Sequence, residues 1–350
     1  MMKDNQTTYL ANSLTIFNTI KEKILNAKKE ILLEFFYAEI SIMFCQIIDL
    51  LLEKSQHGVK IMLLFDKIGC LFKLPKSYIK ALECSGIKIK LFNSLTCSGI
   101  IGVDHIKMAI FDRTIAIIAG MNLADKYVNY IETCGHWKES GIMLSGKQVD
   151  YISKVFYNDW NCAKTDFEYQ KNIDEYGAFF NLKPQTTKNI TNKLINQLEK
   201  CNDYAIITTP YLVPSFRLQK CLINCVERGA KITIILPSRP DKRGVFALSK
   251  IYAKKLKIFG INVLLYDRGF IHQKSFLIDG NVCGVGSLNM DNRSLKHSRE
   301  CEYFSNEKQV IDRINIDLQN ILKCCSPFDG KMSVLENIIG HILLPFNNFI

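Results

Sequence analysis

The stretch His105-Ile-Lys-Met-Ala-Ile-Phe-Asp112 occurs again as His272-Gln-Lys-Ser-Phe-Leu-Ile-Asp279. His, Lys and Asp hold the same relative positions in both copies, and Asn122 and Asn289 follow at matching distances. Each equivalent pair is 167 positions apart (272 − 105, 274 − 107, 279 − 112 and 289 − 122). This regular duplication indicates two related halves that build one site.

The elements around each motif are duplicated as well. In each half a charged helical stretch leads into an apolar strand with an aromatic end, at 31–37 and at 206–211. A helix that stops at Gly58 or Gly229 follows, and then a near-continuous apolar strand of the kind that is buried on both faces. This order predicts an α/β fold of two duplicated units, each a mixed, largely parallel sheet flanked by helices.

The same pattern gives the expected domain organisation. A first half should cover residues 1–165 and a second half residues 193–327, and the polar stretch 166–192 should link them. Residues 328–350 form an apolar C-terminal tail.

Composition narrows the class of protein. The 350 residues are 48% hydrophobic, enough for packed cores, and the net charge of +11 favours anionic partners without identifying them. The thirteen cysteines are odd in number and include no C-x-x-C pair, which favours a reduced intracellular protein. No secretory signal and no run of roughly 20 apolar residues is present, so an integral membrane protein is not expected.

The motif residues suit phosphate chemistry. His105 and Lys107 are two positions apart, as are His272 and Lys274, so on a strand each pair would share one face. Imidazole, ammonium and the carboxamide of the following Asn make a cationic, donor-rich pocket without a metal-ligand pattern. Two imidazoles would allow one to attack phosphorus while the other protonates the departing alcohol.

The same reasoning separates the two aspartates from the pocket. Asp112 and Asp279 lie five positions after the lysines, an odd step that places them on the opposite strand face. We therefore expect them to be structural members of the motif. A single His-x-Lys is commonplace, and only the matched duplication of all four residue types favours a catalytic function.

The chain resembles the phospholipase D superfamily, whose motif is H-x-K-x(4)-D followed by Asn, and within it the bacterial-type cardiolipin synthases. The resemblance covers roughly residues 14 to 325. It includes four further stretches: Gly120–Tyr127, Asp159-Trp160, Thr208–Pro214 and Gly286–Ser294. The chain departs from the subgroup at Asp104, Arg113 and Ala119, which leaves headgroup specificity open.

The resemblance implies a pseudo-twofold monomer with its active site between the halves and with no metal or other cofactor. His105 would be the nucleophile and His272 the general acid and base. The phosphoryl oxygens would be held by Lys107, Lys274, Asn122 and Asn289, with Ser287 as a further donor. Glu139 and Glu300 stand where the family places the carboxylates that orient the imidazoles.

The expected activity is phosphatidyl transfer of the cardiolipin synthase type, with phosphatidylglycerol as donor and acceptor. Hydrolysis of phospholipid to phosphatidate is a close alternative, and a phospholipase D-like nuclease is a more distant one. A catalytically dead relative is disfavoured because both motifs are complete. The transmembrane segments of many cardiolipin synthases are missing, so a cytoplasmic protein bound peripherally to the inner face of a membrane is expected. Its apolar tail would lie in the interface or dock on the core.

Overall fold

The computed structural model describes residues 6–93, 102–162, 176–182 and 190–350. Within these ranges each half of the chain contributes one large sheet. The first half supplies β1 (Thr7–Leu10), β2 (Glu30–Phe35), β3 (Lys60–Asp66), β4 (Lys88–Phe92), β5 (Met108–Phe111), β6 (Ile115–Ala119), β7 (His136–Lys138) and β8 (Gly141–Ser145). Their spatial order in the first sheet is β1-β8-β6-β5-β2-β3-β4.

The second sheet has the same arrangement with one additional edge strand. The strands of this half are β9 (Gly177–Asn181), β10 (Tyr204–Thr208), β11 (Leu212–Val213), β12 (Lys231–Pro237), β13 (Asn262–Tyr266), β14 (Gly269–Ile271), β15 (Ser275–Ile278), β16 (Val282–Gly286), β17 (Met290–Asp291), β18 (Glu300–Ser305) and β19 (Cys325–Pro327). Their order in the large sheet is β19-β13-β12-β10-β15-β16-β18-β9, with β19 as the additional strand. Two small ribbons pair β11 with β17, and β14 with β7 of the first half.

Helices cover both sheets. They are α1 (Ser13–Asn26), α2 (Ile42–Gln56), α3 (Lys76–Cys84), α4 (Lys147–Trp160), α5 (Ile190–Glu199), α6 (Phe216–Glu227), α7 (Arg243–Ile258), α8 (Asn292–Lys296), α9 (Lys308–Leu322) and α10 (Val334–Leu343). The stops predicted for α2 and α6 are present, since Gly58 and Gly229 follow them at φ 79° and 99°. A Cβ at either glycine would meet no atom within 4 Å, so the left-handed backbone is the reason for glycine there.

The α/β fold of two mixed sheets flanked by helices is confirmed, but the expectation of largely parallel sheets is wrong. Among the strands of the described residues, the parallel pairs within the large sheets are β2–β3, β3–β4, β10–β12 and β12–β13. The other neighbours are antiparallel because each motif strand turns back at once as a hairpin, β5 into β6 and β15 into β16.

The turns of these hairpins hold the two motif aspartates. Asp112 and Asp279 adopt φ of 53° and 51°. The Asp112 carboxylate accepts hydrogen bonds from the backbone N–H groups of residues 28, 29 and 30 at 2.7–2.9 Å. Asp279 accepts equivalent bonds from residues 202, 203 and 204 at 2.9 Å. Each carboxylate therefore ties the hairpin to the start of the neighbouring central strand, β2 or β10, at the end of the motif strand remote from the His and Lys.

The two halves share a core. One apolar cluster lies between the sheets and takes side chains from both halves, including Leu32 and Leu277, together with Phe156 of α4 and Ile314 of α9. Two outer clusters lie under α1 and α2 on one side and under α5, α6 and α7 on the other. The shared cluster fixes the two motif strands against each other.

The expected linker and tail both take part in the fold. β9 lies inside the stretch 166–192 and pairs with β18, while the remainder of that stretch before residue 190 falls outside the described residues apart from 176 and 182. The tail forms α10, which packs on α7 where Gly340 meets Ile251, and Asn347 donates to the Tyr252 hydroxyl at 3.0 Å. None of the described helices is long and apolar enough to cross a bilayer.

Among the cysteines of the described ranges, Cys162 differs from the others. Eleven are free thiols. Cys162 is disulfide-bonded, so the expectation of a fully reduced chain does not hold at that position.

Candidate active site

A cavity of about 570 Å³ opens where the two halves meet. His105 and Asn122 of the first half and His272, Asn289 and Glu300 of the second all contribute to its wall. Its volume is in the range of ordinary small-molecule sites. The structure therefore brings both motif histidines and both asparagines to one space, although they are 167 positions apart in sequence.

Each imidazole is held by a glutamate from the opposite half. His105 Nδ1 lies 2.9 Å from Glu300 Oε2 and 3.1 Å from Oε1. His272 Nδ1 contacts Glu139 Oε1 in the same way. Because Nδ1 is engaged, each imidazole presents Nε2 as its second nitrogen, the arrangement in which a carboxylate fixes tautomer and orientation.

Backbone hydrogen bonds also join each histidine to the opposite half. The His105 N–H donates to the carbonyl of Arg299 at 2.9 Å, and the His272 N–H donates to the carbonyl of Lys138 at 2.9 Å. Arg299 and Lys138 immediately precede Glu300 and Glu139. The same residue pair thus binds the main chain of each motif and orients its imidazole.

The two motif lysines lie behind the cavity. Lys107 and Lys274 are fully or almost fully buried, and each ammonium donates to the carbonyl of the histidine two positions earlier, at 2.6 Å for Lys107. Neither lysine is among the described residues that line the cavity. The buried ammonium groups place positive charge beneath the imidazoles.

The two asparagines differ in their hydrogen bonds, and Ser287 binds a glutamate. Asn122 accepts from the Tyr37 N–H at 3.3 Å and donates to the Tyr127 hydroxyl at 2.9 Å. The buried Oδ1 of Asn289 has no hydrogen-bond partner within the part of the chain that the structure describes. Ser287 does not line the cavity among the described residues and instead donates to Glu300, as does Ser294.

Burial dominates the electrostatics of the site. It lowers the pKa of both imidazoles well below 6.5, and the neighbouring ammonium groups of Lys107 and Lys274 lower it further. Burial also raises the pKa of Glu139 to about 7 and of Glu300 to about 8. Because the glutamate pKa values lie near neutral pH, each His–Glu pair can exist with the carboxyl ionised and Nε2 without a proton, or with the carboxyl protonated and the imidazole proton on Nε2. The first form can attack phosphorus or accept a proton, and the second can donate one.

Burial shifts the lysines in the opposite direction to the glutamates. It lowers the pKa of Lys107 to about 8 and of Lys274 to about 7, against the attraction of the two glutamates. Because the imidazole pKa values lie well below 6.5, the acid-side loss of activity should appear only well below that pH, and activity should fall on the alkaline side between about pH 7 and 8 as the ammonium groups lose their protons. The measurement is kcat/KM against pH with a dispersed substrate, and a profile that stays flat to about pH 9 would contradict this assignment.

An aromatic wall around His272 was not expected from the sequence. The imidazole packs against Tyr127, Trp137 and Phe270 with centroid distances of 5.5, 5.2 and 5.7 Å. The indole N–H of Trp137 also donates to Glu139 at 3.1 Å. Among the described residues, the His105 ring has one aromatic neighbour, Phe36, with the ring centroids 5.5 Å apart. His272 is therefore the more enclosed of the two histidines.

Two buried ion pairs that cross between the halves were also missed. Lys138 of β7 binds Asp317 of α9 at 2.8 Å, and Arg299 contacts Asp159 of α4. Arg299 also lies 3.4 Å from Asp104, the residue before His105. One feature of the sequence could have indicated these ion pairs: a cation precedes a glutamate at 138–139 and again at 299–300, 161 positions apart (300 − 139). No local pattern shows, however, that the two cations bind carboxylates of the opposite half.

Comparison with known proteins agrees with this geometry. A family model described as "Cardiolipin synthase, PLD-like domain" matches residues 20–160 and again residues 194–322. The chain belongs to this phospholipase D-like family. The resemblance drawn from the motifs is confirmed, as is the class of enzyme, a phosphatidyltransferase or phosphodiesterase of the phospholipase D superfamily. The two matched ranges lie one in each half, whereas the boundaries at 165, 192 and 327 stay predictions.

Several curated relatives are similar over most of the chain. It is 32% identical over 334 residues to an uncharacterized protein of Streptococcus mutans, covering 92% of this chain and 72% of that protein. It is 28% identical over 342 residues to a cardiolipin synthase of Oceanobacillus iheyensis, covering 94% and 71%. Against cardiolipin synthase A of Pseudomonas fluorescens the identity is 30% over 310 residues, covering 84% and 64%.

Solved structures show the same fold at low identity. Phosphatidylserine synthase of Haemophilus influenzae aligns with a TM-score of 0.80 at 15% identity, over 97% of this phospholipase D-like chain and 92% of that one. Polyphosphate kinase of Porphyromonas gingivalis aligns with a TM-score of 0.63 at 14% identity, over 99% and 53%. At these identities the likeness concerns the fold alone.

Proposed function

We propose that the protein is a phosphatidyltransferase of the cardiolipin synthase type that uses phosphatidylglycerol as donor and acceptor. The observation that carries the proposal is the pair of His–Glu dyads that face one cavity with both motif asparagines. The cardiolipin synthases among the relatives support the choice of lipid.

The first half-reaction forms a covalent intermediate. Nε2 of His105 attacks the phosphorus of phosphatidylglycerol, a P–N bond forms, and the P–O bond to the glycerol headgroup breaks. His272 donates a proton to the departing glycerol oxygen. The buried ammonium groups of Lys107 and Lys274, with Asn122 and Asn289, stabilise the charge on the phosphoryl oxygens. Glu300 and Glu139 orient the two imidazoles.

The second half-reaction reverses these roles. A headgroup hydroxyl of a second phosphatidylglycerol attacks the phosphorus, and His272, now neutral, removes its proton. The P–N bond breaks and His105 is restored, so that cardiolipin and one glycerol are the products. If water replaces the lipid hydroxyl, the product is phosphatidate, which is the hydrolytic alternative.

The character of the cavity wall supports a lipid more than a nucleic acid. Phe36, Val103, Val245 and Ile350 give it apolar area, whereas a nuclease needs cations and aromatics that follow an extended backbone. Lys73, Lys126, Lys242 and Arg293 lie at the same wall and suit the anionic headgroup. We propose that the protein works as a monomer on the inner, cytoplasmic face of a membrane.

The test is to incubate the purified protein with phosphatidylglycerol vesicles and, separately, with single-stranded DNA. Glycerol and cardiolipin should appear in equal amounts, and the DNA should stay intact. Phosphatidate without cardiolipin would replace transfer by hydrolysis. Strand cleavage without lipid turnover would overturn the proposal in favour of the nuclease alternative.

A further inference from the structure

Two exposed apolar patches border the mouth of the cavity, one from each half. The first half contributes the loop after β3, where Ile68 is 62%, Leu71 57% and Phe72 97% exposed. We call it the loop patch. Phe72 also has a φ of 65°, a conformation that is uncommon for a residue other than glycine and that presents its ring to the outside.

The second half contributes the outer face of the C-terminal helix, which we call the helix patch. It consists of Val334, Ile338 and Ile342 of α10 and Phe346 just beyond it, all more than half exposed. They recur every four positions and so share one face of the helix. The opposite face is covered by α7, with Gly340 against Ile251. The helix therefore has one apolar face packed on the protein and another without a partner among the described residues.

The loop patch reaches the cavity, and the end of α10 lies close to it. Ile68 of the loop patch is itself part of the cavity wall, and so is the C-terminal Ile350. The end of α10 lies beside the start of α7, where a Cβ on Gly244 would be 3.1 Å from Leu343, and the neighbouring Val245 lines the cavity. A flat apolar partner that covered the patches would lie across the mouth of the active site.

Cations surround the same region. The exposed residues Lys67 and Lys76 flank the loop patch. On the other side of the mouth the exposed cations are Lys242, Arg243, Arg293 and Lys296. These cations outnumber the acidic residues of the same region, which are Glu39, paired with Lys73, and Asp241, Asp291 and Glu300 of the cavity wall. The excess of positive charge suits an anionic surface and disfavours contact with the same surface of a second copy of the chain.

We propose that the loop patch and the helix patch together form a membrane-docking face that seats the cavity mouth directly on an anionic bilayer. The inference rests on the proposed function for its lipid substrate, but the docking itself requires no catalysis. Apolar side chains that enter the interface and cations that attract anionic headgroups are the two signals that together give stable peripheral binding. A phosphatidylglycerol molecule could then move from the bilayer into the cavity without crossing water.

Vesicle flotation tests the docking. Wild-type protein should float with vesicles of phosphatidylglycerol and phosphatidylcholine, and less with phosphatidylcholine alone or at high salt. The double variants Leu71→Ser/Phe72→Ser and Ile342→Ser/Phe346→Ser should each reduce the partition coefficient at least about tenfold, because they remove most of the apolar area of one patch.

Leu25→Ser is the matched control. Leu25 is 50% exposed on α1 and lies near the start of β2, whereas the cavity borders the end of that strand. The control should bind vesicles as the wild type does, and all variants should keep the wild-type thermal transition. Unchanged flotation of both patch variants would overturn the proposal. So would a wild-type dimer that the patch variants dissociate without loss of vesicle binding.

Turnover measurements separate this inference from the proposed function. Patch variants should turn over dispersed short-chain phosphatidylglycerol at the wild-type rate and vesicular phosphatidylglycerol at least about tenfold more slowly. A protein that floats as expected but turns over no lipid would refute the proposed function and leave the docking face standing. Equal loss on both substrates would show that the patches act within the site and would overturn the docking proposal.

Discussion

Replacing either His105 or His272 with alanine should lower turnover of phosphatidylglycerol by at least about 10³-fold, because each half-reaction of the proposed mechanism needs both imidazoles. The double variant should be about as inactive as the single ones, since residues that act as one unit do not contribute additively. His57→Ala is the control, because this imidazole is exposed and, within the described residues, forms a hydrogen bond to the Glu53 carbonyl alone. Release of glycerol from dispersed substrate is the measurement.

Two results would contradict the account of the histidines. One is a single variant that retains more than about a tenth of wild-type activity, since that would leave one imidazole without a necessary function. The other is a double variant whose loss equals the product of the single losses, which would indicate that the two imidazoles contribute independently and not as one unit. Circular dichroism should show that the variants remain folded.

Replacing Arg299 with alanine should destabilise the protein by about 3–5 kcal/mol, the usual cost of leaving buried charge without its partner. Arg299 is 4% exposed and faces Asp104 and Asp159, with the fully buried Glu34 close enough to affect its charge. Burial and the neighbouring carboxylates raise the pKa of Glu34 and so favour its neutral form, whereas Asp104 and Asp159 lie in contact with the guanidinium. Chemical denaturation measures the change in the free energy of unfolding.

The effect on activity distinguishes positioning from stability alone. Arg299→Lys keeps a buried positive charge but loses the planar group that reaches two carboxylates, so it should remain folded with a lower kcat and a largely unchanged KM. Arg113→Ala removes a guanidinium whose side chain is 54% exposed and should change stability by less than about 1 kcal/mol. Wild-type kcat in Arg299→Lys would show that the ion pair does not position Glu300.

The histidines and asparagines that meet at the cavity could be predicted because their signal is local and duplicated. His105 and His272, each with its Lys and Asn, appear as matched strings whose spacing survives changes in loop length. The odd step to Asp112 likewise placed it away from the imidazole, and its carboxylate does bind three backbone N–H groups at the far end of the strand. The expected strand position was wrong in one respect, because His105 and Lys107 lie just before β5 and not within it.

The sequence could not show that each glutamate binds the imidazole of the opposite half. Glu139 and Glu300 were expected to orient imidazoles, but nothing in either half shows that Glu139 serves His272 and Glu300 serves His105. Such pairs depend on how two sheets pack over a shared core, which long-range contacts decide. The hairpins that make the sheets mostly antiparallel were missed for a related reason, since apolar strand patterns do not encode the direction of a neighbour.

The most direct test of the central claim, that two halves form one site with one nucleophile, uses an activated donor. In a phosphatidyl ester of p-nitrophenol the leaving group needs no proton, so His272→Ala should form the intermediate and fail to resolve it. The account predicts a burst of about one p-nitrophenolate per chain and a phosphatidyl adduct on His105 by mass spectrometry. An equal burst from His105→Ala, or adducts on both histidines of one chain, would contradict it.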